Sequence, residues 1–256
     1  MEFVNVYADS HKAESYAVLD FPGTYHLAFR DLPSLFRSHV SGDIALDFGC
    51  GTGRSTRFLQ QQGYQTTGID IAREMVQKAT ERDPGGDYRL NEDGRFSVLG
   101  NMTFDLIFSA FTFDNIPMDS KPGLFHALGK RLTKTGRLVN LVCSPEVYIH
   151  EWVSFSTRDF PENRWAKSGD IVRDIITHIP DPRPCLDILC TDTDYRRIYK
   201  KAGLEILHVR RPLATGKESM EWISETQIPP FAIYVLKAIE TLSQWEPQRL
   251  WRVPRY

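Results

Sequence analysis

The sequence predicts an α/β fold in which a doubly wound, mostly parallel sheet carries helices on both faces. Apolar runs with strand character alternate with amphipathic helical stretches between residues 44 and 142, and this alternation is typical of a parallel sheet. A glycine-rich turn joins the first of these strands to the helix that follows it. At 256 residues the chain is long enough to bury a sizeable core as one domain with an insertion.

The composition is that of a soluble globular protein, with 41% hydrophobic and 25% charged residues. The formal net charge of −2 gives no basic excess to hold a polyanion, so DNA and RNA are disfavoured as partners. No signal peptide and no run of about 18 apolar residues is visible, so we expect no membrane association. Cys50, Cys143, Cys185 and Cys190 form no C-x-x-C pair, which favours a cytoplasmic protein without a cysteine metal site.

The first strand and its turn lie in residues 44–59, IALDFGCGTGRSTRFL. The apolar run ends at Asp47, and glycine then occupies every second position of the turn: Gly49, Gly51 and Gly53. Glycine permits positive φ and close approach of a ligand, and the start of the next helix offers unpaired N–H groups. The spacing is not the G-x-G-x-x-G of a dinucleotide site, and no Gly-Lys-Ser/Thr of a phosphate loop follows. The turn is predicted to bind another nucleotide-like cofactor.

A second strand, predicted over residues 63–70, ends in Asp70. A parallel strand in this position presents a carboxylate close to the ribose of a bound nucleotide. The helical stretch that follows carries Ile71 and Met75 on one face.

Together these features resemble the class I S-adenosylmethionine (SAM)-dependent methyltransferases. D-x-G-x-G-x-G after a strand is similar to motif I of that family, and Phe104–Pro117, FDLIFSAFTFDNIP, is similar to its fourth-strand motif. Asp93 stands at the family's offset before this strand, and residues 132–142 resemble its fifth strand. The resemblance spans about residues 25–145, and it implies a seven-stranded sheet with SAM as the cofactor.

The resemblance also implies roles for single residues around that cofactor. Asp70 would accept hydrogen bonds from both ribose hydroxyls, and Asp93, followed by Gly94, would accept the exocyclic amine of adenine. Ile71 and Met75 would pack on the adenine ring. Met75 equally suits the core between helix and sheet, and residues 91–94 equally suit an ordinary polar turn.

An N-terminal helix is expected to contribute Tyr25 and Arg30, whose forked guanidinium suits the SAM carboxylate. Ser109 would lie along the methionine part. The complete set of predicted cofactor-binding residues is Tyr25, Arg30, Asp47, Gly49, Gly51, Gly53, Asp70, Ile71, Met75, Asp93, Gly94 and Ser109.

We expect covering helices in residues 1–43 and a SAM-binding α/β domain in residues 44–256, with an antiparallel last strand within 228–239. An insertion at about 145–190 is the departure from the minimal fold, and its second part predicts two antiparallel strands around a proline-rich turn. We expect a lid over the carboxyl ends of the parallel strands. A peripheral hairpin at a sheet edge is the alternative. The C-terminal tail could be a docking arm, a disordered end or an oligomer contact.

The candidates for acceptor binding or proton transfer follow the fourth and fifth strands: Asp114, Asn115, Tyr148 and His150. His150 is the best single base by residue type, because the reference pKa of histidine lies near 6.5. Each also has a structural alternative, namely turn capping for Asp114 and Asn115 and packing or solvation for Tyr148 and His150. Phe111 and Phe113 could wall the reacting centre or belong to the core. No histidine pair with metal-ligand spacing is visible.

The leading hypothesis is a SAM-dependent methyltransferase that acts on a small molecule in secondary or specialised metabolism. A second hypothesis keeps the fold and cofactor but attacks the aminobutyryl chain of SAM. Such an enzyme forms azetidine-2-carboxylate or transfers the 3-amino-3-carboxypropyl group, and it releases methylthioadenosine. A third hypothesis is a non-catalytic SAM-binding module. The sequence leaves the acceptor and the oligomeric state open.

Overall fold

A computed structural model describes residues 14–15 and 21–239 of the chain. Most of the predicted covering segment before residue 21 and the tail after residue 239 lie outside the described residues. The described helices of six residues or more are α1 (Tyr25–Arg30), α2 (Leu32–His39), α3 (Arg54–Gln61), α4 (Arg73–Arg82), α5 (Lys121–Gly129) and α6 (Asp192–Lys201).

Seven strands form the main sheet: β1 (Ile44–Phe48), β2 (Gln65–Asp70), β3 (Asp87–Leu90), β4 (Phe104–Ala110), β5 (Leu132–Cys143), β9 (Leu204–Arg210) and β10 (Phe231–Ala238). Three strands form a second sheet: β6 (Phe155–Ser156), β7 (Ile171–Ile176) and β8 (Cys185–Ile188).

The main sheet has the strand order β3-β2-β1-β4-β5-β10-β9. β1 pairs in parallel with β2 and β4, β2 pairs in parallel with β3, and β4 pairs in parallel with β5. β10 is antiparallel to both β5 and β9, so it alone in this sheet of described strands runs against the others. The predicted seven-stranded, mostly parallel sheet with an antiparallel strand near the end of the chain is confirmed.

Apolar side chains cover both faces of this sheet. In β4, Leu106 and Phe108 belong to one buried cluster, whereas Ile107 belongs to the other. Successive side chains of a strand point to opposite faces, so a central strand needs apolar residues at both parities when helices cover both sides. The main sheet is therefore a rigid platform, and the ligand-binding edge of such a platform is where the parallel strands end.

Two short helices precede the sheet. α1 ends at Arg30, and α2 runs through Pro33 to His39. Pro33 lies in the first turn of α2. The missing N–H of proline costs nothing there, because the first backbone N–H groups of a helix have no intrahelical partner.

The insertion forms the two antiparallel strands expected from its sequence. β7 and β8 pair around a turn that contains Pro180, Pro182 and Pro184, and β6 pairs with the other edge of β7. The chain then enters α6, where the Thr191 hydroxyl accepts a hydrogen bond from the backbone N–H of Asp194. This N-cap is the one that the Thr-Asp-Thr-Asp spacing predicts. Within the described residues, no helix combines the length and the apolar character needed to cross a lipid bilayer.

Candidate active site

A cavity of about 550 Å³ opens where the parallel strands end. Its lining includes Gly49 after β1, Asp70 at the end of β2, Phe111 after β4 and Cys143 at the end of β5. This volume falls within the range of roughly 300–1,000 Å³ that small-molecule sites occupy. The cavity also lies at the topological switch point between β1 and β4, which is where open α/β sheets bind ligands.

The glycine turn, residues 49–53, has the backbone conformation that its sequence requires. Gly49, Gly51 and Gly53 have φ of +75°, +52° and +83°. A Cβ on Gly49 would collide with Thr112, whereas a Cβ on Gly51 would meet no atom within 4 Å. The turn thus packs closely on its neighbour at Gly49 and presents open backbone to the cavity at Gly51.

Asp47 stabilises the glycine turn from below and is absent from the cavity lining. Its Oδ2 accepts hydrogen bonds from the hydroxyls of Ser55 at 2.6 Å and Thr56 at 2.7 Å, both in the first turn of α3. Its Oδ1 has no partner among the described residues. Burial raises the pKa of Asp47 to about 6. The carboxylate therefore fixes the start of α3 against the end of β1.

Asp70 joins the glycine turn to the next strand and lines the cavity. Its Oδ2 accepts the N–H of Gly51 and its Oδ1 accepts the N–H of Ala72, each at 2.9 Å. Each carboxylate oxygen retains a further lone pair for a hydroxyl of a ligand. Ile71 and Met75 also line the cavity, as the resemblance implies.

Asp93 does not reach the cavity. It is exposed, and its carboxylate accepts hydrogen bonds from the Ser97 hydroxyl at 2.6 Å and the Arg95 N–H at 2.8 Å. Both hydrogen bonds lower the pKa of Asp93. Gly94 and the buried Asn91 line the cavity in its place. The structure therefore does not place Asp93 in contact with adenine, as was expected, because the turn directs this side chain to solvent.

Arg30 is likewise turned away from the cavity. Its guanidinium pairs with Asp31 at 2.8 Å and with Glu218 at 3.1 Å, and these partners account for its orientation. Arg54, at the start of α3, lines the cavity instead. Its guanidinium carbon lies 4.9 Å from the ring centre of Tyr25 and 5.5 Å from that of Phe29.

Ser109 and Phe113 belong to the interior. Ser109 is fully buried within β4 and its hydroxyl has no partner among the described residues. Phe113 is fully buried and stacks on Phe125 with ring centres 3.7 Å apart, whereas Phe111 lines the cavity. Neither Ser109 nor Phe113 lines the cavity, so the structure does not place Ser109 beside a ligand.

Of the four candidates for acceptor chemistry, Asn115 alone lines the cavity. Asp114 is buried, and its carboxylate accepts the Cys143 N–H at 3.0 Å and the Tyr195 hydroxyl at 3.4 Å. Burial raises the pKa of Asp114 well above its ordinary value, and the negative charge of Asp187 raises it further. The Asp114 carboxyl therefore joins β5 to α6 and does not face a ligand.

Tyr148 contacts a residue of the cavity wall, and His150 lies away from the cavity. The Tyr148 hydroxyl is buried and donates a hydrogen bond to Oδ2 of Asp187 at 2.9 Å. The ring of His150 packs edge-on against Trp152 with ring centres 6.2 Å apart. Neither side chain lines the cavity. His150 is thus not brought to the site, and Tyr148 reaches it only through Asp187.

The inserted hairpin, residues 171–188, forms one wall of the cavity and supplies residues that sequence reasoning missed. Asp174, Cys185 and Asp187 line the cavity together with Ile171 and Ile176. An aspartate among the buried alternate residues of β7 was the available signal, because Val172 and Ile176 flank Asp174 at the same parity.

Comparisons with known proteins agree with this geometry. Residues 45–136 match the methyltransferase domain family. The chain is 31% identical over 97 residues to an uncharacterized methyltransferase of Alkaliphilus oremlandii, covering 38% of this chain and 44% of that protein. It is 39% identical over 64 residues to the 18S rRNA (guanine-N(7))-methyltransferase of Bos taurus, covering 25% of this chain and 23% of that one. The chain thus spans less than half the length of these two relatives.

A solved structure shows the same fold along nearly the whole chain. The SAM-dependent methyltransferase from Clostridium acetobutylicum has a TM-score of 0.59 at 15% identity, and the match covers 90% of this chain and 97% of that chain. The open backbone at Gly51 and the cavity-facing Asp70 fit the cofactor of that fold. Residues 45–136 thus match a methyltransferase domain, and the chain has the fold of S-adenosylmethionine-dependent methyltransferases.

Proposed function

We propose that this protein transfers the methyl group of SAM to a small-molecule acceptor. The observation that carries the proposal is a single cavity whose lining combines the glycine turn and Asp70 with the wall of the inserted hairpin. When bound, SAM supplies an electrophilic methyl group on a positively charged sulfur. The chain's own residues have to bind and orient the two reactants, and such orientation can account for much of a rate enhancement.

The residues that would hold the cofactor are spread along one side of the cavity. Asp70 is placed to accept the ribose hydroxyls, with Ile71 and Met75 beside the base. Arg54, which lines the cavity, is proposed to take the role expected of Arg30, because a guanidinium can bind the carboxylate of SAM in a forked pair. The aromatic rings beneath it restrict the guanidinium to a plane.

A small acceptor is favoured over a nucleic acid by the charge of the cavity and of the chain. The hairpin wall contributes the carboxyls of Asp174 and Asp187, and the chain has a net charge of −2. Phosphate groups would be repelled from such a wall, whereas RNA binding draws on lysine and arginine contacts. The similarity to an rRNA methyltransferase covers only 25% of this chain.

The inserted hairpin is also proposed to act as a lid that excludes water from the reacting groups. Its strands line the same cavity as the carboxyl ends of β1 and β2. Tyr148 would orient Asp187 in this wall and would not act as a base. Burial raises the pKa of Tyr148 well above its ordinary value, so its hydroxyl keeps the proton at neutral pH. None of the four cysteines is in a disulfide bond, which favours a cytoplasmic location for this chemistry.

The test uses the purified full chain in two steps. First, calorimetry measures binding of S-adenosylhomocysteine, which we expect to be saturable and stoichiometric. Second, the chain is incubated with SAM and either a small-molecule extract or bulk RNA, and the nucleoside product is identified by chromatography. The small-molecule extract should give S-adenosylhomocysteine, and RNA should give none above the Gly51→Val control.

Other results would contradict the proposal in distinct ways. Methylthioadenosine as the product would show attack on the aminobutyryl chain. Product formed with RNA alone would overturn the small-molecule acceptor. Binding of S-adenosylhomocysteine without turnover in any extract would favour a non-catalytic binding module.

A further inference from the structure

We propose that the acceptor carries an aromatic ring, and that an aromatic cluster formed by Tyr25, Phe111, Phe155 and Phe231 binds this ring. The inference rests on the proposed function and names the substrate class of the same cavity. Tyr25, Phe111 and Phe155 line the cavity, whereas Phe231 is fully buried and absent from the lining. Of the four residues, only Phe111 lies within residues 45–136, which match the methyltransferase domain.

Four separate parts of the chain contribute one ring each to the aromatic cluster. Tyr25 lies in α1, Phe111 directly follows β4, Phe155 lies in β6 and Phe231 begins β10. The ring centre of Tyr25 is 5.8 Å from that of Phe111 and 5.0 Å from that of Phe155. The ring centre of Phe231 is 5.3 Å from that of Phe111 and 6.2 Å from that of Phe155. The fold therefore gathers three cavity-lining rings around one buried ring.

The rings of the aromatic cluster meet at steep angles. The ring planes of Tyr25 and Phe111 are inclined by 86°, those of Tyr25 and Phe155 by 64°, and those of Phe155 and Phe231 by 85°. Aromatic pairs favour such edge contacts, because the positive rim of one ring meets the negative face of the other. An aromatic ligand can extend this pattern, whereas a saturated ring lacks the same charge distribution.

The backbone at Phe111 is a second, independent observation that points to a ligand. Phe111 has a φ of +62°, in the left-handed region that bulky side chains rarely adopt. Its N–H donates to the Leu141 carbonyl at 2.8 Å and its own carbonyl accepts Nδ2 of Asn115 at 3.2 Å, so hydrogen bonds hold this conformation. Strained residues of this kind cluster at ligand sites. Glycine would relieve the strain but would place no ring in the cavity lining.

The aromatic cluster lies next to the place proposed for the amino-acid part of the cofactor. The guanidinium carbon of Arg54, which is proposed to bind the SAM carboxylate, lies 4.9 Å from the ring centre of Tyr25. The sulfur that carries the transferred methyl group belongs to the same amino-acid part of SAM. A ring bound against Phe111 and Phe155, which both contact Tyr25, would therefore lie near that methyl group.

The surroundings favour a neutral ring over a cation. Aromatic faces also attract ammonium groups, but the guanidinium of Arg54 already lies over the ring of Tyr25, and a second positive charge there would be repelled. Aliphatic side chains continue the lining beside the cluster, and Ile176 pairs with Phe155 across β6 and β7. An uncharged aromatic ring suits both kinds of surface.

The experiment compares three probes that differ only in the group attached to ethanol. The full chain is saturated with S-adenosylhomocysteine, and 2-phenylethanol, 2-cyclohexylethanol and choline are titrated at pH 7. We expect the phenyl probe to bind about fivefold more tightly than the cyclohexyl probe, although the saturated ring is the more apolar of the two. Choline, which carries a quaternary ammonium group, should bind least. The phenyl preference separates aromatic contact from simple burial of apolar surface.

Phe111→Leu and Phe155→Leu each remove a ring but keep an apolar side chain. Leucine at position 111 has the same backbone strain, so a change in ligand preference reports the loss of the ring. The phenyl preference should fall to twofold or less in each variant, and S-adenosylhomocysteine affinity should stay within threefold of the unaltered chain. Two controls should keep the preference. Trp165→Leu alters an aromatic residue of the insertion that is 84% exposed, and Phe96→Leu alters one with a φ of +63° that does not line the cavity.

The outcomes separate this inference from the proposed function. Failure of S-adenosylhomocysteine to bind the unaltered chain would contradict the proposed function itself. If it binds, equal or tighter binding of the cyclohexyl probe or of choline, or no binding of the phenyl probe at millimolar concentration, overturns the aromatic site alone. A phenyl preference that survives in both Leu variants has the same consequence. So does a loss of S-adenosylhomocysteine affinity of more than threefold in both, because the rings would then bind the cofactor.

Discussion

The glycine turn and the inserted hairpin face the same cavity but are built in different ways. The glycine turn contributes mainly backbone, and its conformation depends on positive φ at three glycines. The inserted hairpin contributes side chains from paired strands, and what it presents depends on the register between β7 and β8. A surface made of backbone suits a cofactor that is the same for every acceptor. The side chains of a hairpin can be substituted without changing the course of its backbone.

This difference predicts two different effects of substitutions. A substitution in the glycine turn should remove cofactor binding whatever the acceptor is. A substitution on the buried face of the hairpin should leave cofactor binding intact and change only the choice of acceptor. Measurements of S-adenosylhomocysteine affinity or of stability test cofactor binding independently of any acceptor.

The largest effect is expected for Gly51→Val. Its side chain would extend into the open space where a Cβ meets no atom within 4 Å, and calorimetry should find S-adenosylhomocysteine affinity reduced more than about 1,000-fold. Gly63→Val is the matched control, because Gly63 also has positive φ, +93°, and open space around its Cβ, but it lies outside the cavity lining. Both variants should lose roughly 1–2 kcal/mol of stability from backbone strain. Native affinity in Gly51→Val would show that the glycine turn is not the binding surface.

Asp47→Asn should change how stability depends on pH. The pKa of Asp47 is about 6 in the folded protein and 3.8 as a reference, so the folded state binds the extra proton between these values. Stability from this group is full below pH 3.8 and is lost as the pH rises through about 6. The loss is at most about 3 kcal/mol. Urea unfolding at pH 4, 5.5 and 7 should show that the free energy of unfolding falls less with pH in Asp47→Asn than in the unaltered chain.

The matched control for this pH series is Asp43→Asn, because Asp43 is exposed just before β1. Its unfolding free energy should follow that of the unaltered chain at each pH. Parallel curves for Asp47→Asn and the unaltered chain would contradict a protonated Asp47 beneath the glycine turn.

Asp70→Asn should weaken S-adenosylhomocysteine binding by about 10- to 30-fold. The reason is the loss of charged acceptors for ligand hydroxyls, since hydrogen bonds to charged groups contribute roughly 1.5–3 kcal/mol. Asp93→Asn is the control, and it should change the affinity less than twofold because Asp93 is exposed and does not line the cavity. A large effect at Asp93 with none at Asp70 would reverse the assignment made from the structure.

The smallest effect separates two arginines. Arg54→Ala should weaken S-adenosylhomocysteine binding about tenfold, which corresponds to about 1.4 kcal/mol. Binding of methylthioadenosine, which lacks the amino-acid carboxylate, should change little. Arg30→Ala should leave both affinities unchanged, because Arg30 pairs with Asp31 and Glu218 away from the cavity. Equal losses for both ligands would assign Arg54 a packing role on Tyr25 and Phe29.

The sequence was sufficient where local geometry decides the outcome. The glycine turn follows from residue type and spacing, and Asp70 follows from the length of a parallel crossover. The hairpin strands were also predictable from two short apolar runs around a proline-rich turn. In each case the deciding contacts join residues close in the chain or elements whose order is set by a right-handed parallel sheet.

The sequence was insufficient where one side chain has to be chosen over a neighbour. Arg30 pairs with Glu218, which is 188 positions away in the chain, and no local sequence pattern predicts that pair. Asn91 and Asp93 differ by two positions in one turn, and the turn's hydrogen bonds to Ser97 and Arg95 direct Asp93 outward. Asp174 and Asp187 come together only through the register of the hairpin.

The alternation of β7 has a practical consequence for redesign. In β7 the buried residues alternate with partly exposed ones: Val172, Asp174 and Ile176 are buried, and Arg173 and Ile175 are partly exposed. Substitutions at the buried positions therefore leave the exposed surface of the strand unchanged. If the hairpin binds the acceptor as proposed, libraries limited to the buried positions of β7 would change which nucleophile is accepted. The pairing of β7 with β8 and the glycine turn would remain unchanged.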